Sequence, residues 1–166
     1  SSVVGNLVAT ATSGNLTDSG TVTVGGAGSF TTSAANADID LGTLAVTGSV
    51  DLHTNGATGN ASVVNATGLD LATSAVGGNL VATATTGNLT DSGTVTVGGT
   101  GSFTTSTANA DIDLGTLAVT GSIDLHTNGL TGNASVVNAT VLDLASSAVG
   151  GNLVATATTG NLTDSG

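Results

Sequence analysis

The chain repeats itself at an interval of 73 residues. The segment Gly5–Thr12 returns unchanged at Gly78 and again at Gly151. Residues 5–77 and 78–150 differ at only seven positions, and residues 151–166 are identical to 78–93. A repeat of constant length indicates that successive copies stack on one another, as they do in solenoids. We therefore expect residues 1–166 to be a single β-solenoid segment of a longer array, with units 5–77 and 78–150 and a partial unit 151–166.

Short runs that alternate between apolar and polar residues fill each unit, as in Leu7–Ala11, Ala37–Leu41 and Val50–His53. Alternation of period two is typical of strands with one buried face, and Gly, Gly-Asn and Asn-Gly separate the runs as turns. The strong helix formers Glu, Lys, Gln and Arg are missing, and no apolar set recurs with helical spacing. The pattern predicts an all-β chain.

The unit divides into segments 5–25, 26–48 and 49–77, each with three short alternating runs. We predict a right-handed parallel β-helix (β-solenoid) with about three coils per 73-residue repeat, each coil having three strands. A β-sandwich is the competing all-β fold, but the constant unit length favours stacking. Each coil needs only a few small apolar residues inside. The predicted inward residues, together with their copies 73 positions later, are Leu7, Leu16, Val22, Val24, Phe30, Ile39, Leu44, Val46, Val50, Leu52, Val63, Leu69 and Leu71.

The charge balance excludes several classes of function. The chain has 11 acidic residues, all Asp, and no Lys or Arg, so its formal net charge is −11. Binding to nucleic acids or to anionic membrane surfaces depends on cationic side chains, so we expect neither as a partner. No apolar run is long enough to span a bilayer, which predicts no membrane insertion. Without Cys there is no disulfide or zinc–thiolate site.

The openings of the strands resemble those of a known family. Residues 78–85 join a Gly-Asn-Leu opening to Val/Thr/Ala alternation, and residues 121–125 begin with Gly-Ser-Ile. Over its whole length the chain resembles the filamentous-haemagglutinin-like adhesins, which are β-helical exoproteins of Gram-negative bacteria. The resemblance implies an extracellular or bacterial cell-surface location, and contact with a host or neighbouring cell through regions outside this segment. The near-identical units and the lack of Lys and Arg depart from typical members and indicate a shaft region.

Two acidic pairs are the candidate metal ligands. Asp38 and Asp40, and their copies Asp111 and Asp113, place two carboxylates on one strand face. Such oxygen ligands suit Ca²⁺, and the alternative is a solvated face that keeps the rod soluble. No other cofactor is indicated. The pairs could also form a glycosidase dyad, but the missing aromatic residues and cations and the duplication at 73 residues lead us to predict no enzyme.

Other residue patterns have both a functional and a structural interpretation. Asp51 and His53, with copies Asp124 and His126, could form a metal or acid–base pair or be ordinary surface residues. Thr-x-Thr triplets such as residues 10–12 could bind ice, or could simply suit a pleated surface. Asn6 and Asn79 are predicted to be turn or ladder residues. Asn-x-Ser/Thr sequons give candidate glycosylation sites at Asn15, Asn60, Asn65, Asn88, Asn133, Asn138 and Asn161.

Two of the seven differences between the units add apolar bulk, Ala57 to Leu130 and Gly68 to Val141. If the two loops lean together, the pair is a local repacking. If they are exposed, the second unit carries a small apolar patch for a partner. The sequence leaves both interpretations open.

The repeats favour a structural function. We predict a rod or shaft segment of a large bacterial extracellular adhesin or surface filament, with further copies of the repeat at both ends, in the same chain or head to tail. The alternative is a binding module that uses a repeated face for calcium, glycans or ice. An enzyme would need one unique cleft, which is at odds with near-identical units.

Overall fold

Strands form where the apolar and polar residues alternate, and they end at the Gly- and Asn-containing turns. The computed structural model describes residues 1–166 and contains no helix, hence none that is long and apolar enough to cross a membrane. The strands are β1 (Ser2–Val3), β2 (Leu7–Ala11), β3 (Leu16–Thr17), β4 (Val22–Val24), β5 (Gly28–Ala35), β6 (Ile39–Val46), β7 (Val50–Asn55), β8 (Ala61–Asn65), β9 (Leu69–Leu71), β10 (Ser74–Val76), β11 (Leu80–Ala84), β12 (Leu89–Asp91), β13 (Val95–Val97), β14 (Gly101–Ala108), β15 (Ile112–Val119), β16 (Ile123–Asn128), β17 (Ala134–Asn138), β18 (Leu142–Leu144), β19 (Leu153–Ala157) and β20 (Leu162–Asp164).

The strands stack into two parallel ten-stranded sheets, and each turn of the chain crosses both. Sheet A contains β1, β3, β4, β6, β8, β11, β14, β16, β18 and β20, and sheet B contains the other ten strands. Strands away from the two ends pair with strands one turn before and one turn after them, as β5 does with β2 and β7. About eight turns of about 21 residues result, which confirms the predicted all-β parallel β-solenoid. Its right-handedness, which the chirality of parallel crossovers favours, stays a prediction.

Successive repeats lie on opposite sides of the solenoid. Strand β2 belongs to sheet B, its copy β11 belongs to sheet A, and the third copy β19 returns to sheet B. One 73-residue unit therefore spans three and a half turns, where the sequence predicted about three. The difference arises in segment 49–77, which the sequence predicts to be one coil. In the structure this segment holds β7, β8, β9 and β10 and crosses sheet B, sheet A and sheet B again. The chain also crosses two sheets per turn rather than forming three separate ones.

The core is a single apolar column between the two sheets. Most of the predicted inward residues and their copies are buried in it, which confirms the alternation pattern. Phe30 and Phe103 are its only aromatic residues, and each ring lies against a buried glycine, Gly28 or Gly101, where a Cβ atom would approach the ring within 3 Å. The prediction missed further buried residues, among them Leu41, Leu114, Ala61, Asn65 and Asn138.

Turns at the two ends of the described chain are less buried than the middle turns. Leu7, Leu16 and Val22 pack only partly against the core, whereas their copies Leu80, Leu89 and Val95 are fully buried. The third copies Leu153 and Leu162 are 41% and 50% exposed. Burial in this fold depends on having a neighbouring turn on each side.

Candidate functional site

A ladder of side-chain amides and carboxylates runs along each corner where the chain enters a sheet. Asn15 Oδ1 accepts a hydrogen bond from the backbone N–H of Asp38 at 3.0 Å, and Asp38 Oδ1 accepts one from that of Asn60 at 2.8 Å. Asn60 Oδ1 in turn accepts from Asn79, and Asn79 Oδ1 from Thr100. Each rung thus satisfies a backbone donor one turn further on. The copies Asn88, Asp111, Asn133 and Asn152 form the same ladder on the opposite edge.

The ladder confirms the prediction for Asn79, and Asn6 makes the same type of bond by accepting from the N–H of Ala27 at 2.9 Å. Ala27 lacks a side-chain acceptor and Thr100 makes no such bond to the following turn, so the ladder stops at each of these two residues. For the Asn rungs the sequence signal is a Gly-Asn dipeptide immediately before the strand, as at Asn15, Asn60 and Asn88.

The acidic pairs proposed for calcium are divided between two environments. Asp38 is a ladder residue, and its Oδ1 also accepts a bond from Nδ2 of Asn60 at 3.1 Å. Asp40 is exposed on the outer face of sheet A, level with Thr17 and Ser62 of the adjacent turns. Asp111 and Asp113 repeat this arrangement on sheet B. The structure contains no group of three or more His, Cys, Asp or Glu residues that could hold a metal ion. Calcium binding by either pair therefore stays a prediction that depends on backbone, amide or water ligands.

The structure brings the two Asp–His pairs together as the sequence predicted. Nε2 of His53 lies 3.8 Å from Oδ1 of Asp51, and Nε2 of His126 lies 2.9 Å from Oδ1 of Asp124. The neighbouring positions on the adjacent strand are Ser and Thr, so no third titratable group joins either pair. The pairs lie on opposite sheets, which separates them further than one catalytic centre would allow. They are two copies of one surface feature that differ in the Asp–His distance.

A second carboxylate role was missed by the sequence reasoning. Asp18 accepts bonds from the backbone N–H groups of Gly42 and Thr43 at 3.0 and 2.9 Å, and from the Thr43 hydroxyl at 2.9 Å. Asp91 makes the same three contacts with Gly115 and Thr116. Each carboxylate therefore anchors the bulge within the strand of the next turn, in β6 or β15. The signal in the sequence was the turn-forming Asp-Ser-Gly triplet.

Asn65 and Asn138 are fully buried, although both belong to Asn-x-Thr sequons. Asn65 Oδ1 accepts from the N–H of Val46 at 2.8 Å, and its Nδ2 donates to the carbonyl oxygens of Val46 and Gly68. Asn138 bonds in the same way to Val119 and Val141. A glycan has no room on these two side chains in the folded chain. The sequons at Asn15, Asn60, Asn88, Asn133 and Asn161 are exposed, and glycosylation there stays a prediction.

Outward threonines do not form a continuous row on either sheet. Along one column of sheet A the paired residues are Thr17, Asp40, Ser62, Val81 and Ser102. Threonine is thus interrupted by carboxylates and apolar groups at successive turns. The ice-binding alternative remains a prediction without a regular threonine array.

Leu130 and Val141, the bulkier residues of the second unit, are both exposed, at 88% and 46%. Leu130 follows the end of β16, whereas Val141 precedes β18, which pairs with the start of β16. They therefore lie at opposite ends of the sheet A strands and do not pack against each other. Of the two interpretations open at the sequence level, exposure is confirmed.

The comparison with protein families gives one result. No curated protein and no solved structure matches the chain. The family model described as "Repeats of unknown function (DUF5649)" matches residues 1–43 and 58–116, which is more than half of the chain. The chain belongs to this family of repeats.

Proposed function

We propose that the chain is a rigid shaft segment of a bacterial extracellular adhesin or surface filament, with no catalytic activity. The observation that carries the proposal is the strand pairing across the boundary between units. Strand β11, the first of the second unit, pairs over five residues with β8 of the first unit and over five residues with β14 of its own. The boundary is therefore bonded like any other turn, and the stack has no hinge there.

The surface chemistry supports the same proposal. Every candidate polar cluster occurs twice. The corner ladder and the Asp18 anchor repeat the same hydrogen bonds, and the Asp–His pair recurs with a different Nε2–Oδ1 distance. An enzyme concentrates its reacting groups in one pocket, whereas a spacer repeats the groups that hold its turns together. The acidic, cation-free surface keeps such a rod solvated.

Location and partners follow from the resemblance to filamentous-haemagglutinin-like adhesins and are part of the proposal. Further copies of the repeat, in the same chain or head to tail, are a third part of the proposal. Contact with a host or neighbouring cell would then be made by other regions of the longer protein.

Chains with two, four and eight units test the shaft directly. Rod length measured by negative-stain electron microscopy should rise by about 17 Å per added unit, from three and a half turns at the strand spacing of about 4.8 Å. A matched control carries a flexible Gly/Ser insert between Gly77 and Gly78, and should show a bend at that point. Particles whose length does not grow with unit number would contradict the proposal.

Immunogold labelling of intact source cells tests the proposed location separately. Label found only inside the cell would contradict the adhesin part of the proposal but would leave the rod-shaped shaft unaffected.

The calcium alternative has its own measurement. A bound calcium ion would stabilise the folded state by mass action and raise the melting temperature. For a plain shaft we expect the same melting temperature in EDTA and in millimolar CaCl₂. A calcium-dependent rise that disappears in the D40N/D113N variant would replace the plain shaft with a calcium-binding module. The carboxylates of Asp40 and Asp113 accept no hydrogen bond from the protein, so the variant retains the ladder.

A further inference from the structure

Two carboxylate oxygens of the chain are buried without a hydrogen-bond partner. They are Oδ1 of Asp51 and Oδ1 of Asp124, and among the residues that are not exposed no other buried side-chain nitrogen or oxygen atom lacks a partner. Asp124 is the copy of Asp51 in the second unit, so the same atom is unpartnered in both units. A buried carboxylate oxygen without a partner is costly, and in folded proteins a cation usually neutralises it. The recurrence indicates one cation for each unit.

Histidine is the only side chain beside these oxygens that can carry or bind a cation. The chain has no Lys or Arg, and the residues of β14 opposite Asp124 and His126 are Ser102 and Thr104. Nε2 of His126 lies 2.9 Å from Oδ1 of Asp124, yet the two atoms form no hydrogen bond. At this distance the missing bond reflects a lack of alignment, because the N–H direction of the ring does not point at the oxygen. A proton on Nε2 would therefore leave the oxygen without a partner.

A metal ion bonded to both atoms accounts for the short distance and for the missing alignment. Two bonds of about 2.1 Å from one ion, to the imidazole nitrogen and to the carboxylate oxygen, meet at about 90° when the two atoms are 2.9 Å apart. The bond from the nitrogen then lies about 45° from the line that joins the two atoms, so the oxygen is off the axis of the ring's lone pair. Tetrahedral zinc would hold the two atoms about 3.4 Å apart. The right angle suits the tetragonal geometry of Cu²⁺ or Ni²⁺ with nitrogen and oxygen ligands.

Both Asp–His pairs are open to solvent on one side. The side chains of His126 and Asp124 are 39% and 29% exposed, and those of His53 and Asp51 are 40% and 31% exposed. Nε2 of His53 lies 3.8 Å from Oδ1 of Asp51, so a movement of about 1 Å by this exposed ring gives the separation found in the second unit. An ion can therefore reach either pair from solvent and keep water as its remaining ligands.

We propose that each 73-residue unit binds one divalent transition-metal ion, Cu²⁺ in preference to Zn²⁺, through Nε2 of its histidine and Oδ1 of its aspartate. The ligands are His53 and Asp51 in the first unit and His126 and Asp124 in the second, and water completes the coordination. Because β7 belongs to sheet B and β16 to sheet A, the two sites lie on opposite sides of the rod. The inference does not depend on the proposed shaft function.

Isothermal titration calorimetry of the chain with CuCl₂, in a weakly coordinating neutral buffer, measures the sites. We expect one equivalent of Cu²⁺ per histidine, beyond the background from the N-terminal amine that the H53A/H126A variant measures. H53A and H126A should each lose one equivalent. The electron paramagnetic resonance spectrum of the bound Cu²⁺ should be axial, with coupling to one nitrogen. Equal binding by the wild-type chain and by H53A/H126A would overturn the proposal.

Aspartate variants separate chelation by the pair from adsorption to a lone histidine. D51N/D124N preserves the shape of the side chains and should weaken the affinity for Cu²⁺ by more than about tenfold, because it removes one of the two protein ligands. The matched control D40N/D113N removes the same charge from exposed carboxylates elsewhere and should bind as the wild-type chain does. Circular dichroism checks that each variant is folded.

Three outcomes would contradict the proposal. Wild-type affinity in D51N/D124N would show binding by histidine alone, and an equal loss in both double aspartate variants would show an effect of net charge. Zn²⁺ that binds as tightly as Cu²⁺ would contradict the tetragonal geometry.

Discussion

The pentapeptide Leu-Val-Ala-Thr-Ala occurs three times, and its three copies differ in burial although their sequence is the same. In β11, in the middle of the stack, Leu80, Ala82 and Ala84 are completely buried. In β2 the corresponding residues are only partly buried, and in β19 the leucine is exposed. The inward residues of a strand are therefore buried only when turns lie on both sides of it. The sequence of the strand supplies apolar inward residues but does not by itself bury them. Stability of this fold resides largely in contacts between neighbouring turns.

The largest expected effect comes from opening a cavity in the core of a middle turn. Leu80→Ala should lower the free energy of unfolding by about 3 kcal/mol, because it leaves a cavity among fully buried side chains. Leu7→Ala, the same change at the partly buried copy, should cost about 1 kcal/mol. Guanidinium denaturation followed by circular dichroism measures both. Equal losses would show that neighbouring turns do not determine burial energy.

A smaller effect tests the buried amides, which have identical partners in both units. Asn138→Ala leaves the N–H of Val119 without its acceptor and leaves the Val119 carbonyl with the Thr140 hydroxyl as its side-chain donor, and should lower the free energy of unfolding by about 2 kcal/mol. Asn65→Ala should cost the same amount, although it lies on the opposite sheet. The exposed Asn128→Ala serves as the surface control in the same denaturation experiment. A difference of more than about 1 kcal/mol between the two buried sites would mean that the half-turn offset changes their environments.

The smallest expected effect is at the Asp91 anchor, which is compared with its copy Asp164. Asp91→Ala removes three hydrogen bonds to Gly115 and Thr116 and should lower the free energy of unfolding by about 1 kcal/mol. Asp164, the third copy, bonds only to the N–H of Gly166, so Asp164→Ala should change stability by less than about 0.5 kcal/mol. Amide hydrogen exchange at Gly115 and Thr116 locates the effect. Unchanged protection there in the Asp91 variant would refute the anchoring role.

Alternation in the sequence was sufficient to predict the strands, the parallel stack and most of the core. The number of turns per unit was not predictable in the same way, because segment 49–77 has one more strand crossing than its turn residues indicate. Asn65 shows the limit most clearly. It continues the inward series of Ala61 and Val63 and so belongs to the core by period, but its polar side chain suggested a surface sequon.

The site residues show a similar division. Spacing alone placed Asp51 and His53 on one face, and the structure confirms their proximity. The roles of Asp18 and Asp38 depend on partners more than 20 residues away, on the next turn. Local patterns identify which side chains share a face, whereas the partner of a corner residue depends on the length of the turn that follows it.

The half-turn offset has a consequence for how an array of these units changes in length. Near-identical tandem units invite gain or loss of whole copies by recombination between them. Each unit gained or lost moves everything that follows by about 17 Å along the axis, and also turns it to the other side of the rod. Whether the number of copies is odd or even would then decide on which side of the rod an element beyond the array lies. The length of the array would set only its distance along the axis.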